Sequence, residues 1–255
     1  MLALKLILVP TFLLLISLAG RRWGPSVAGW LAGLPVVAGP IVLLVALEQG
    51  AAFASIAASA SLAAVFASVA FGASYSHASM HLGWPAALFF GMCAWTLAAT
   101  VISLLPNTPW WSLLVAVGAL VAAPRLFPVV AAPSTSRSIG SAELLLRMAA
   151  GAALTLAVTG LANTVGSQWS GLLAVFPVLG SVLAVFSHRG QGSAFAATLL
   201  RALAMGLWSL AAFFLVAALA LPIFGTAVSF TLAVVAAAVA QTTTRLLAKP
   251  KTAGT

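Results

Sequence analysis

The stretch GWLAGLPVVAGP at residues 29–40 returns as GLLAVFPVLGSV at residues 171–182, and this recurrence decides how the chain is read. Laying residues 1–60 on residues 143–202, at a constant offset of 142 and without a gap, gives fifteen identities in sixty positions. Gly29, Leu31, Ala32, Pro35 and Val36 fall on Gly171, Leu173, Ala174, Pro177 and Val178. A second block pairs Gln49, Gly50, Ala52, Phe53 and Ala54 with Gln191, Gly192, Ala194, Phe195 and Ala196. The same offset carries Phe71 onto Phe213 and Gly83 onto Gly225. Apolar composition alone produces some coincidences, so the weight rests on the paired prolines and on the QGxAFA block. Duplication inside a very apolar chain is a mark of secondary transporters.

Composition narrows the class. Of the 255 residues 63% are hydrophobic and 5% charged, and there is no aspartate. A soluble domain of this size needs far more polar surface, so an integral membrane protein is expected. The excess of eleven Lys and Arg over two Glu fits cytoplasmic loops facing anionic lipid and requires no nucleic acid. Membrane lipid is the expected partner. Cys93, the single cysteine, has no partner for an intrachain disulfide.

A spanning helix needs about 20 apolar residues. Gly, Pro and charge divide the chain into nine candidates near residues 2–20, 27–47, 51–74, 84–105, 109–126, 143–162, 168–187, 198–220 and 223–246. The fold class expected is therefore an all-α polytopic membrane protein, with an inverted-topology repeat of five plus four helices. Repeat one covers residues 1–126, a cytoplasmic linker 127–141, repeat two 142–248 and a cytoplasmic tail 249–255. The fifth candidate is short, with Pro124, Arg125 and Pro128 close behind it. If it spans, Arg21, Arg22, Arg125, Arg137, Arg147, Arg189, Arg201, Arg245, Lys249 and Lys251 share one side, and only Lys5 is left on the other. The positive-inside rule then places the amino terminus outside and the carboxyl terminus in the cytoplasm of the inner membrane. An offset of five helices, an odd number, turns the second copy upside down. Residues 1–20 also resemble a secretory signal; the match of Lys5 to Arg147 and Leu14 to Leu156 in the sixth helix argues that they are retained.

Chemistry is expected where both copies interrupt a helix. Proline inside a helix removes one backbone hydrogen bond and crowds the carbonyl four residues back, and in lipid the freed carbonyls must find a partner or line a cavity. Pro35, Val36, Gly39 and Pro40 with Pro177, Val178, Gly180 and Ser181 are thus the candidate substrate-binding residues. The alternative is a pair of packing kinks. Glu48, His77, His81 and Arg201 are candidates for coupling or gating. The two histidines have the i, i+4 spacing of metal ligands, but no carboxylate or thiol accompanies them, so no metal site is expected. Arg201 either snorkels to the interface or faces the bundle as a counter-charge. Ser55, Ser59, Ser61 and Ser68 on the third helix suit close helix contact. Trp30, Trp95 and Trp208 lie away from the expected interfaces and could line a pocket.

The strings GWLAGLPVVAGP, GLLAVFPVLGSVLAVFSHRGQG and AFAA resemble a family of uncharacterised bacterial inner-membrane proteins, over nearly the whole chain. In plan the chain is similar to the drug/metabolite transporter superfamily and to the bile acid/sodium symporters, although in those symporters the broken helices are the fourth of each repeat. That family brings no substrate with it; the repeat and its two breaks make a secondary transporter moving a small solute or ion by alternating access around helices 2 and 7 the leading expectation, with no cofactor. The alternative is a non-transporting membrane protein with a structural, assembly or lipid-binding role. No HExxH, GxGD or GxxxxGK motif is present, so neither an enzyme nor an ATP-driven pump is expected. A homo-oligomer covering the place of the missing tenth helix is a further expectation.

Overall fold

The computed structural model describes residues 2–130, 140–162, 164 and 166–248. Most of the expected linker, with Arg137, and the tail with Lys249 and Lys251 lie outside the described residues, as does the side chain of Lys5. In chain order the helices are α1 (Leu2–Trp23), α2 (Pro25–Ala32), α3 (Ala38–Gln49), α4 (Ala51–Ser79), α5 (Trp84–Ser103), α6 (Pro109–Leu126), α7 (Ser141–Ala162), α8 (Ser167–Ala174), α9 (Val178–Gln191) and α10 (Ser193–Ala248). No strand occurs among the described residues. Among the described residues six helical stretches are long and apolar enough to cross a membrane, including the short Pro109–Leu126. Large apolar side chains such as Leu97, Leu114 and Ile223 stand exposed on the outer surface, which is the build of a helical membrane protein and not of a soluble one.

Two expected spans are each made of two half-helices. α2 and α3 form the second, α8 and α9 the seventh. The eighth and ninth run together in α10, which turns at Gly225 (φ 72°), three residues after Pro222. Pro25, Pro85 and Pro109 lie in the first turn of their helices, where the missing N–H costs nothing, whereas Pro10 and Pro124 lie inside α1 and α6.

α4 is the central element. Its alanines and serines are buried from Ala57 through Val65 without interruption, and it packs against α3, α5, α6, α8 and α10. Small side chains let these backbones close in, and serine hydroxyls bond across the contacts. Ser55 donates to the Ala218 carbonyl at 2.8 Å, Ser61 to Gly171 at 2.8 Å and Ser68 to Val175 at 3.2 Å, whereas Ser59 bonds within its own helix to Ser55. Ser61 is fully buried. Ser61→Ala should therefore cost about 1 kcal/mol and lower the midpoint of thermal unfolding in detergent, while Thr100→Ala, whose hydroxyl bonds only within exposed α5, should not.

Backbone geometry repeats at the offset of 142. Gly33 and Leu34 donate to Trp30 and Leu31, and Val175 and Phe176 donate to Leu172 and Leu173. Gly39 donates to Pro35 at 2.8 Å, and Ser181 to Pro177 at 2.8 Å. Ala54 donates to Gly50 and Ala196 to Gly192. Gly50 (φ 88°, ψ 164°) and Gly192 (φ 89°, ψ 169°) share one backbone conformation, open to glycine because it lacks a Cβ. That requirement accounts for the glycine of each QG pair. Side-by-side packing repeats too. Gly29 lies against the backbone of Leu199, and Gly171 against that of Ala57, the position 142 before Leu199. On the α1–α7 contact, a Cβ at Gly151 would stand 3.3 Å from the side chain of Val9, its own counterpart in register.

Two ends of the bundle can be told apart by which termini meet. At one, Arg189 covers the Trp84 ring (5.5 Å) and Arg245 the Trp30 ring (5.4 Å). At the other, Asn107 donates to Ile56 and Gln168 to Ser103. Trp30, taken from sequence as deep, is instead tied to the last turns of α10, its indole donating to Thr244 and its carbonyl accepting from Gln241.

Candidate functional site

Each break follows from local sequence. The first half-helix ends in a tight turn, at Gly33–Leu34 in one copy and Val175–Phe176 in the other, and the following proline carbonyl accepts the first bond of the second half. Pro177 serves as the N-cap of α9, and α3 starts three residues after Pro35. The breaks thus bring together the carbonyl ends of α2 and α8 and the amino ends of α3 and α9, which carry opposite partial charges.

A cavity of about 70 Å³ lies between the two breaks. Its lining includes Ala32 with Ala174, Leu34 with Phe176, Val37 with Leu179, Ala38 with Gly180, and Ser68 with Leu210. Every one of these pairs is 142 apart in sequence. The volume corresponds to about two waters in the liquid. Ser68 is the only side chain with a polar group in the lining, and its hydroxyl is committed to Val175.

The candidate residues do not all reach this cavity. Pro177, Val178 and Gly180 line it. Pro35, Val36, Gly39 and Pro40 line instead a larger groove of about 650 Å³, on the side of the first break that faces the last arm of α10. Ser181 is buried, its hydroxyl bonded to the Val178 carbonyl at 3.1 Å. Glu48 is exposed at the end of α3, and His81 is exposed beyond α4. His77 bonds to the Leu126 carbonyl at 3.0 Å, and Arg201 is half-buried in α10. None of these four lines the cavity or the groove. No group of three His, Cys, Asp or Glu side chains suited to a metal occurs among the described residues.

Two polar constellations were not anticipated. Arg147 is buried (2% exposed), bonded to Glu143 Oε1 at 2.6 Å and to Ser17 Oγ at 3.1 Å, with the Phe186 ring 5.6 Å away. It joins α1, α7 and α9. The Glu-x-x-x-Arg spacing on one helix was the available signal, hidden because both residues looked interfacial. The second is buried Tyr75, whose hydroxyl lies 3.3 Å from His188 Nδ1 and links α4 to α9. No family model, no curated protein and no solved structure matches this chain.

Proposed function

We propose that the chain is a small secondary carrier, built of two inverted repeats, that passes a small solute or ion by rocking one repeat against the other around the paired breaks. One observation carries the reading: both breaks, at matched positions, line one central cavity through residues paired 142 apart. Broken helices at the junction of inverted repeats are where such carriers bind substrate, using backbone groups and helix ends in place of charged side chains. The repeated backbone bonds and the odd number of spans per offset support the inversion. The one-sided division of basic residues expected from the sequence supports an inner-membrane protein with its amino terminus outside.

The competing reading is a non-transporting protein with an assembly or lipid-binding role. The small, apolar cavity favours it, since a packed bundle with two kinks would look similar in one conformation. Accessibility separates the two. In a Cys93→Ala background, single Val37→Cys, Ala38→Cys, Val178→Cys and Leu179→Cys variants, all at positions lining the central cavity, are to be probed with a membrane-impermeant thiol reagent from each side. Labelling at positions of both breaks is the carrier's expected result. Protection of all four from both sides would sink it.

A further inference from the structure

The two breaks are framed by equivalent helices but filled differently. Beside the second break, the Trp95 ring of α5 stands edge-on to Phe176, with centroids 4.8 Å apart. The offset carries Trp95 onto Ala237 and Phe176 onto Leu34. Around them it exchanges the partly buried Met92 for Val234. The buried indole of Trp95 occupies the space at one break, and Ala237 at its register position leaves that space unfilled at the other. The groove of about 650 Å³ lies there, between Pro35–Leu43 and the arm of α10 after Gly225.

We infer that this groove holds the hydrocarbon chain of a membrane lipid, which names an amphiphile as substrate class for the proposed carrier and rests on that reading. The equivalent space in the other half is filled by an apolar ring belonging to the protein, so an apolar body is what the place accepts. No ionisable side chain lines the groove, and the Thr231 hydroxyl is already bonded to the Ala227 carbonyl at 2.9 Å. Its rim is formed by Val234 and Val235, more than half exposed on the face of α10; in a bilayer that face meets lipid, so the entrance opens sideways into hydrocarbon. The volume falls within the range of about 300–1,000 Å³ that small-molecule sites occupy. The groove runs from Leu34 at the break towards Leu43 and Phe230, the half of the membrane assigned above to the exterior leaflet.

The test uses the full chain in phosphatidylethanolamine/phosphatidylglycerol liposomes containing phosphatidylglycerol with a diazirine at the middle of one acyl chain. After photolysis, cross-linked peptides are mapped. Cross-links should concentrate on residues 34–43 and 230–238, saturate, and be competed by unlabelled lipid. Ala237→Trp should lower them by about tenfold, and Trp95→Ala should raise them at residues 176–185. Thr231→Phe, on the exposed rim, is the second filling variant and decides the matter if Ala237→Trp does not yield monodisperse protein. Cross-links spread evenly over the exposed faces of α5, α6 and α10 and indifferent to both filling variants would overturn the inference. Thiol labelling at the breaks with no preferred lipid site would leave the carrier standing with a water-soluble substrate. A competed lipid site without labelling would leave lipid binding and remove the carrier.

Discussion

Gly29→Ala and Gly171→Ala should each lower the thermal midpoint in detergent by roughly 5 °C or more, equivalent to about 2 kcal/mol, and Gly29→Val and Gly171→Val should abolish folded protein. At Gly29 a Cβ would run into the carbonyl oxygen of Leu199 and come within 2.9 Å of the Leu203 nitrogen. At Gly171 it would meet the Ala57 carbonyl and stand 2.8 Å from Ala60 Cβ. These obstacles are helix backbone and the first side-chain carbon, which do not rotate away. Relief requires α2 to move off α10, or α8 off α4. Moving α8 also stretches the bond from Ser61 to the Gly171 carbonyl. Gly118→Ala and Gly160→Ala are the controls, because a Cβ at either position meets nothing within 4 Å; both should be neutral or slightly stabilising. The two damaging variants should behave alike, since each glycine, paired at the offset of 142, meets a helix carbonyl. If Gly29→Ala is harmless while Gly171→Ala is not, the close approach of α2 to α10 is not part of the folded protein.

The expected paired sensitivity rests on the constraints that keep the sequence recurrence legible. Gly29, Gly171 and the QG glycines persist because a backbone contact or a positive φ tolerates no side chain, and Pro35 and Pro177 because a helix must stop there. Such constraints act at single positions and leave identities that an apolar background does not blur. The helix count was legible because hydrophobic length is a property of contiguous sequence, and Pro222 and Gly225 mark the turn between the eighth and ninth spans within α10. What stayed hidden depended on facing. Whether Pro35 looks into the central cavity or outward to α10 is set by rotation about a half-helix, which an eight-residue segment such as α2 does not encode in any periodicity. The groove was hidden for another reason. It arises from Trp95 and Ala237 occupying one register position, and a comparison made on identities passes over such a difference.

The largest electrostatic effect is expected at Arg147, and its sign depends on which partner is removed. Glu143→Ala should destabilise the protein by about 3–5 kcal/mol, because it strips the counter-charge from a guanidinium that is 2% exposed. Arg147→Met should cost far less. It withdraws the buried charge, leaves an apolar chain of similar length against Phe186, and frees a carboxylate whose side chain is 32% exposed and can turn to solvent. The double variant should recover most of what Glu143→Ala loses. Urea or thermal unfolding of the three proteins in detergent gives the ordering directly, and equal damage from both single variants would mean that the pair holds the fold as a bonded unit. The ordering bears on function because of where the cluster sits. Arg147 spans from Ser17 on α1 to Phe186 on α9, and a Cβ on Gly190, further along α9, would lie 3.5 Å from Glu143. α9 is the half-helix that leaves the second break, so any rocking of that break must slide α9 past this ion pair. A stable Arg147→Met protein whose break cysteines change their labelling from one side only would make the pair a latch on one conformation of the proposed carrier.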